Sequence, residues 1–295
     1  MKPFGYVAAK DSEHAVALLA EYGQGAKVLA GGTDLLADMK FTPHPPPEVV
    51  VDISRAADLK GIALTDAGLR IGALTTHSEI VHSAVVHQVA PALADAAVVI
   101  GAVQTRNLGT IGGNLMTCVP SMDSGPTLLA FEALVTIAGP SGRRTIPLSD
   151  LFVAPRKTSL AVGELLVEVI VPKANLYKPT AFQKFGLRKG QALALVNAAA
   201  SFWTSEGLFS EPRIALGAVA PTVIRAPKAE AYLSGRPVSE EAMAEAGRIA
   251  ATEAKPITDF RASADYRRDL VAVLVKRALA GAWDRATPNQ KELAS

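Results

Sequence analysis

The sequence predicts a mixed α/β N-terminal domain over residues 1–176, an α+β C-terminal domain over 177–283, and a flexible tail at 284–295. Three observations carry this reading. The 295 residues are about twice the ~150 of an ordinary domain. Helix-like and strand-like segments alternate up to Pro172, where a polar stretch with further turn formers, 173–179, begins. Beyond it, three strand-like runs precede three helical runs, the order of an α+β unit.

The elements follow from local pattern. Asp11 precedes an apolar-periodic run through Ala15, Leu18 and Leu19 that Gly23 closes, so a capped helix is expected there. Residues 27–30 read as a strand entering Gly31-Gly32, and 35–40 as a short helix capped by Thr33 or Asp34. The proline run around His44 forces an extended loop. Segments 48–53 and 69–76 are β-rich and are expected to pair as antiparallel neighbours. Residues 80–100 read as helix with a break near Pro91, 109–114 as a glycine-rich turn, and 127–133 as helix. Gly139-Pro140-Ser141-Gly142 joins a predicted hairpin of 134–138 and 143–147, and 165–171 is a β-branched strand. In the second domain the strands are 181–187, 193–203 and 213–219, and the helices 226–233, 239–254 and 264–280.

Composition removes several function classes. Lys and Arg number 30 against 28 Asp and Glu, and aromatics are 5%, so neither charge nor stacking surface argues for nucleic acid. The single cysteine, Cys118, forbids an internal disulfide and a cysteine-ligated iron–sulfur cluster on this chain, and suits a reducing cytoplasm. No His-Glu-x-x-His pattern is present, so no metal site is expected. There is no secretory signal, and the longest uncharged stretches, such as 190–205, fall short of the ~20 apolar residues of a membrane span.

Two paired-glycine segments carry the chemistry. In Leu29-Ala30-Gly31-Gly32-Thr33-Asp34-Leu35-Leu36 a strand feeds a Gly-Gly turn and then a helix. Adjacent glycines let backbone N–H groups converge on an anion without obstruction by Cβ. Thr110-Ile111-Gly112-Gly113-Asn114 repeats that logic. Each alone reads as readily as an ordinary tight turn; together they suit the two phosphates of a dinucleotide. Neither is the Gly-x-Gly-x-x-Gly fingerprint of a nicotinamide fold.

With Gln104-Thr105-Arg106-Asn107-Leu108-Gly109 leading into the second segment, then Pro120-x-x-Asp123 and Leu128-Leu129-Ala130, the chain resembles the FAD-binding medium subunit of the molybdenum hydroxylases. This is the family of xanthine dehydrogenase and aerobic carbon monoxide dehydrogenase. The resemblance covers almost the whole chain. It implies a vanillyl-alcohol-oxidase-like (PCMH-type) FAD-binding domain in two α/β lobes, then a domain with a three-stranded antiparallel sheet and helices. It also assigns residues. Leu29, Ala30, Gly31, Gly32, Thr33, Asp34, Leu35 and Leu36 would wrap the pyrophosphate, and Thr110, Ile111, Gly112, Gly113 and Asn114 would form a second phosphate and ribityl cradle. Asp123, Leu166 and Lys184 would stand at the cofactor; Ile100 occupies a position that is aromatic in some relatives. Taken from the residues alone, Asp123 reads also as a helix cap, Leu166 as core, and Lys184 as a solvent-facing residue of an edge strand.

The resemblance implies an electron-transfer role without a catalytic residue on this chain. Electrons from a molybdenum–pterin centre on a large subunit would cross two [2Fe–2S] clusters on a small subunit to FAD here. They would leave to a nicotinamide, a quinone or oxygen, in an (αβγ)2 assembly. Two alternatives are a stand-alone FAD reductase using a nicotinamide, and a non-catalytic binding or assembly protein.

Overall fold

The structure is a computed structural model and describes residues 3–43 and 45–286. The first lobe contains β1 (Gly5–Ala8), α1 (Ser12–Tyr22), β2 (Ala26–Leu29), α2 (Leu35–Phe41) and β3 (Val49–Asp52). Asp11 caps α1 by accepting from the His14 amide at 2.8 Å, and Gly23 ends it at φ +53°. The three strands form a parallel sheet in the order β1-β3-β2.

β3 is the middle strand, and every one of its residues is buried. This corrects the expected antiparallel pairing of 48–53 with 69–76. Segment Val49-Val50-Val51 lacks alternation because it is covered on both sides, as parallel strands are. β-propensity marks a strand without marking its partner.

The second lobe holds β4 (Ile62–Thr65), β5 (Gly68–Gly72) and six short helices. These are α3 (His77–His82), α4 (Ala84–Val89), α5 (Pro91–Val98), α6 (Val103–Leu108), α7 (Ile111–Thr117) and α8 (Ser124–Ala130). After them come β6 (Leu134–Gly139), β7 (Gly142–Pro147), β8 (Phe152–Ala154), β9 (Lys157–Thr158) and β10 (Leu165–Pro172). Five strands pair antiparallel in the order β4-β5-β10-β6-β7, and β8 and β9 form a separate hairpin. Leu69, Ile71, Val135 and Val169 of the sheet share one core with Ile80, Leu93, Ile111 and Leu128 of the helices.

The segment expected as a glycine turn, 109–114, is for the most part the start of α7. Thr110 caps this helix, accepting from the Gly113 amide at 3.0 Å. Two glycines cost a helix about 1 kcal/mol each. The cap and the burial of Ile111 and Leu115 outweigh that.

Residues 173–179 lead to β11 (Thr180–Gly186), β12 (Ala194–Ser205), β13 (Leu208–Gly217) and β14 (Ile224–Arg225), then α9 (Pro227–Leu233), α10 (Glu240–Glu253) and α11 (Ala264–Asp284). The sheet is antiparallel and four-stranded, β11-β12-β13-β14, not three-stranded as expected. The added strand is two residues long, too short to show alternation, and pairs with Ala215 and Leu216. β12 alternates between two cores. Val196, Ala198, Ala200 and Phe202 pack with α10 and α11, while Ala199 joins the second-lobe core and Ser201 donates to the Ala130 carbonyl of α8 at 2.7 Å. Burial on both faces explains why 194–202, the middle of that uncharged stretch, carries no charge. At the C-terminus α11 runs to Asp284, and Arg285 donates to the Thr180 carbonyl at 2.8 Å. Residues 287–295 of the expected tail, and His44 of the proline loop, lie outside the described residues.

Lys178, just before β11, is 2% exposed, and among the described residues its amine has no hydrogen-bond partner, with Glu211 4.0 Å away. Burial, aided by Arg213, lowers its pKa from 10.5 to about 8. That gap corresponds to about 3 kcal/mol at most, a cost carried in full below pH 8 and removed as pH rises to the unfolded-state value. Lys178→Met is therefore expected to raise stability by about 1–3 kcal/mol at pH 7, with the gain shrinking toward pH 10. Urea unfolding at both pH values measures this.

Candidate functional site

A cleft of about 1020 Å³ opens between the two lobes and is closed at one end by the loop between β11 and β12. Residues 30–35 form one wall. Ala73, His77, Ile100, Gly101 and the first turn of α7 form the other, with Asp123 and Leu166 between them and Gln191, Ala192 and Leu193 at the end.

The two glycine pairs do different work. A Cβ on Gly31 would run into the Leu108 carbonyl, and one on Gly112 would stand 2.7 Å from Ala73. These two glycines let the chain pack against itself. Gly32 is needed for its φ of +73°. A Cβ on Gly113 would meet only the Thr110 hydroxyl, at 3.0 Å, so this position keeps room in the cleft. The amides differ too. Those of Ile111, Gly112 and Gly113 donate to the carbonyls of Thr75 and Ala73 and to the Thr110 hydroxyl. Among the described residues, the amides of Gly31, Gly32, Thr33 and Asp34 have no partner within the chain. Free donors for an anion thus lie on the first segment.

Asp123 is 6% exposed and borders the cleft. It occupies the cap position of α8 without making a cap bond. Its Oδ2 instead receives the Lys184 ammonium at 2.5 Å, and its Oδ1 receives the Asn197 amide at 2.8 Å. Burial pushes the carboxyl up from its ordinary value, against the pull of Lys184 and Asn197. Lys184 also donates to the Val99 carbonyl at 3.0 Å, beside Ile100. It lies on the edge strand β11, but its side chain is only 9% exposed and points into the domain junction rather than to solvent.

Of the residues expected at the site, Ala30, Gly31, Gly32, Thr33, Asp34, Leu35, Ile100, Thr110, Gly112, Gly113, Asn114, Asp123 and Leu166 border the cleft. Leu29, Leu36, Ile111 and Lys184 do not. Ile111 is core, Leu36 is largely exposed, Leu29 packs beside Gly32, and Lys184 stands behind Asp123. Asp34 makes no cap bond to α2; its carboxylate accepts from the Thr117 hydroxyl at 3.3 Å. Arg106 holds the turn, donating to the Ile100 carbonyl at 3.0 Å. Cys118 is buried, its thiol donating to the Ala154 and Lys157 carbonyls.

Sequence reasoning missed Asn197, His77 and the pair Asp38–Arg156, which joins α2 to the β8–β9 hairpin at 2.8 Å along the cleft. Only Asn197 left a trace, as a polar residue inside the longest uncharged strand. Among the described residues no cluster of His, Cys, Asp and Glu could hold a metal ion, and no helix is long and apolar enough to cross a membrane.

Residues 2–174 match the family model of the FAD binding domain in molybdopterin dehydrogenase. The chain belongs to the FAD-binding medium subunits of the molybdenum hydroxylases. Residues 180–282 match the carbon monoxide dehydrogenase flavoprotein C-terminal domain. The carbon monoxide dehydrogenase medium chain of Hydrogenophaga pseudoflava is 37% identical over 282 residues, covering 96% of this chain and 98% of that one. The xanthine dehydrogenase FAD-binding subunit of Escherichia coli O157:H7 is 33% identical over 270 residues, covering 91% and 92%. Among solved structures, carbon monoxide dehydrogenase from Hydrogenophaga pseudoflava superposes with a TM-score of 0.92 at 38% identity, over 97% of this chain and 100% of that chain. Quinoline 2-oxidoreductase from Pseudomonas putida 86 gives 0.89 at 28% identity, over 97% and 99%.

The cleft of this medium subunit fits FAD on its own terms. It offers free amides on one wall and leaves space where a Cβ at Gly113 would intrude. Between its walls stands a carboxylate, Asp123, fixed by two partners.

The Asp123–Lys184 pair is sensitive to losing one member, since a lone buried charge costs about 3–5 kcal/mol. Lys184→Met is expected to destabilise the subunit by about 3 kcal/mol, and Lys184→Met with Asp123→Asn to recover at least a third of that. A double-mutant cycle in urea measures the coupling.

Proposed function

We propose that the cleft holds FAD in an extended pose, with the diphosphate over Gly31, Gly32, Thr33 and Asp34 and the flavin toward Ile100, Asp123 and Leu166. The observation that carries this orientation is the contrast between the free amides of the first glycine segment and the spent amides of the second. An anion gains most where N–H groups converge without partners. Thr110, Gly113 and Asn114 would then supply shape and side-chain contacts along the ribityl chain.

FAD, when bound, accepts electrons singly from an iron–sulfur cluster and releases them singly or in pairs. The protein's part is positioning and field. Asp123 presents a carboxylate whose charge Lys184 balances, so the pair brings a dipole rather than a net charge to the cleft. Leu166 and Ile100, both buried and apolar, exclude water from one end. No proton donor or acceptor is required of this chain.

As a medium subunit it works with a small and a large partner. We infer that these carry two [2Fe–2S] clusters and the molybdenum–pterin centre, in an (αβγ)2 assembly. The acceptor would be a nicotinamide, a quinone or oxygen. A cytoplasmic location accords with a single, reduced cysteine.

Purified full chain is expected to show flavin absorption bands and to release FAD identified by mass. Gly113→Asp, which adds bulk and a negative charge in the cleft, is expected to lower the FAD content at least tenfold while leaving the circular dichroism spectrum unchanged. Full FAD occupancy in Gly113→Asp would overturn the proposed pose. A chain that neither carries nor takes up FAD would overturn the cofactor assignment itself.

A further inference from the structure

One polar side chain in the cleft wall has no role in the reading above. His77 opens α3 immediately after its cap, Thr76. Its amide donates to the Gly109 carbonyl at 3.0 Å, and Thr76 is bridged to Thr110. The imidazole is thereby fixed at the seam between the two glycine segments. A Cβ built on Gly109 would lie 3.5 Å from the imidazole Cδ2 and 3.6 Å from the Thr33 hydroxyl, so both groups flank the same bare stretch of backbone.

The residue is 2% exposed, and among the described residues its Nδ1 has no hydrogen-bond partner. Buried polar atoms are almost always paired, so a bare one in the wall of a ligand cleft points to a partner that arrives with the ligand. Burial and the nearby Arg106 lower the imidazole pKa to about 4, which keeps the ring neutral near pH 7. A neutral imidazole offers one N–H and one bare nitrogen, and its tautomer sets whether Nδ1 donates to a phosphate or accepts from a hydroxyl.

We propose that His77 is a cofactor-binding residue whose imidazole hydrogen-bonds the diphosphate–ribityl segment of FAD at the seam of the two glycine segments. This rests on the cleft being the FAD site. The contact gives the second wall a hydrogen-bonding group of its own where its backbone amides are already used.

The test strips FAD from the full chain and titrates it back, following quenching of flavin fluorescence. His77→Ala is expected to raise the Kd for FAD about tenfold, the worth of one such hydrogen bond, with an unchanged melting temperature of the stripped protein. In protein labelled with ¹⁵N-histidine, the imidazole signals of His77 are assigned as the set missing from His77→Gln. Its nitrogen resonances are expected to shift when FAD is added. A Kd within twofold of wild type, or resonances that do not move, would overturn the assignment of His77 while leaving the FAD site in place. Failure of the wild-type chain to bind FAD would remove the cofactor reading and this one with it.

Discussion

The ion pair between Asp123 and Lys184 is the contact on which the relation between the two domains turns. Asp123 precedes α8 of the second lobe; Lys184 is on the first strand of the C-terminal sheet. Both are buried, and each would be costly alone. Asn197, on the neighbouring strand, takes the other carboxylate oxygen and also donates to the Met122 carbonyl. For these three groups to meet, β11 and β12 must lie against α8 in one register. Asn197 faces Gly217 across the sheet, where any Cβ would strike its amide oxygen. A polar knot of one carboxylate, one ammonium and one amide thus sets the sheet's position, and the alanine-rich faces fill in around it.

That arrangement makes the cleft a product of both domains. The N-terminal lobes supply the backbone that can hold phosphates, and the C-terminal sheet supplies the groups that fix the carboxylate between the walls. Lys184 also holds the Val99 carbonyl, so a single ammonium locks two points of the cleft wall.

Much of this was legible in the sequence, for identifiable reasons. The Asp11 cap and the Gly23 stop bracketed α1 to the residue because caps are local chemistry. The order of strands and helices after residue 179 was readable because each element is long enough to show its period. Pairing was not readable: Val49-Val50-Val51 shows a buried strand, and only the crossover helices decide that its neighbours are parallel. The two glycine pairs looked alike in sequence. The difference between them arises from where each set of amides already goes, namely to Ala73, Thr75 and the Thr110 hydroxyl in the second and, among the described residues, to no acceptor in the first. The resemblance placed Lys184 at the cofactor, while the residues alone also allowed a solvent-facing position on an edge strand; in the fold it is buried against Asp123 and the loop at Val99. His77 carried no sequence signal at all, being one of several histidines on or near predicted helices.

The cover over β12 has a consequence for how the subunit is made. Asp123 leaves the ribosome some sixty residues before Lys184 and still earlier than Asn197. Until those residues emerge, the N-terminal lobes hold an uncompensated carboxylate in an unfinished cleft. The surroundings of Asp123 in the cleft wall therefore take their final form late in synthesis, after the second domain has docked.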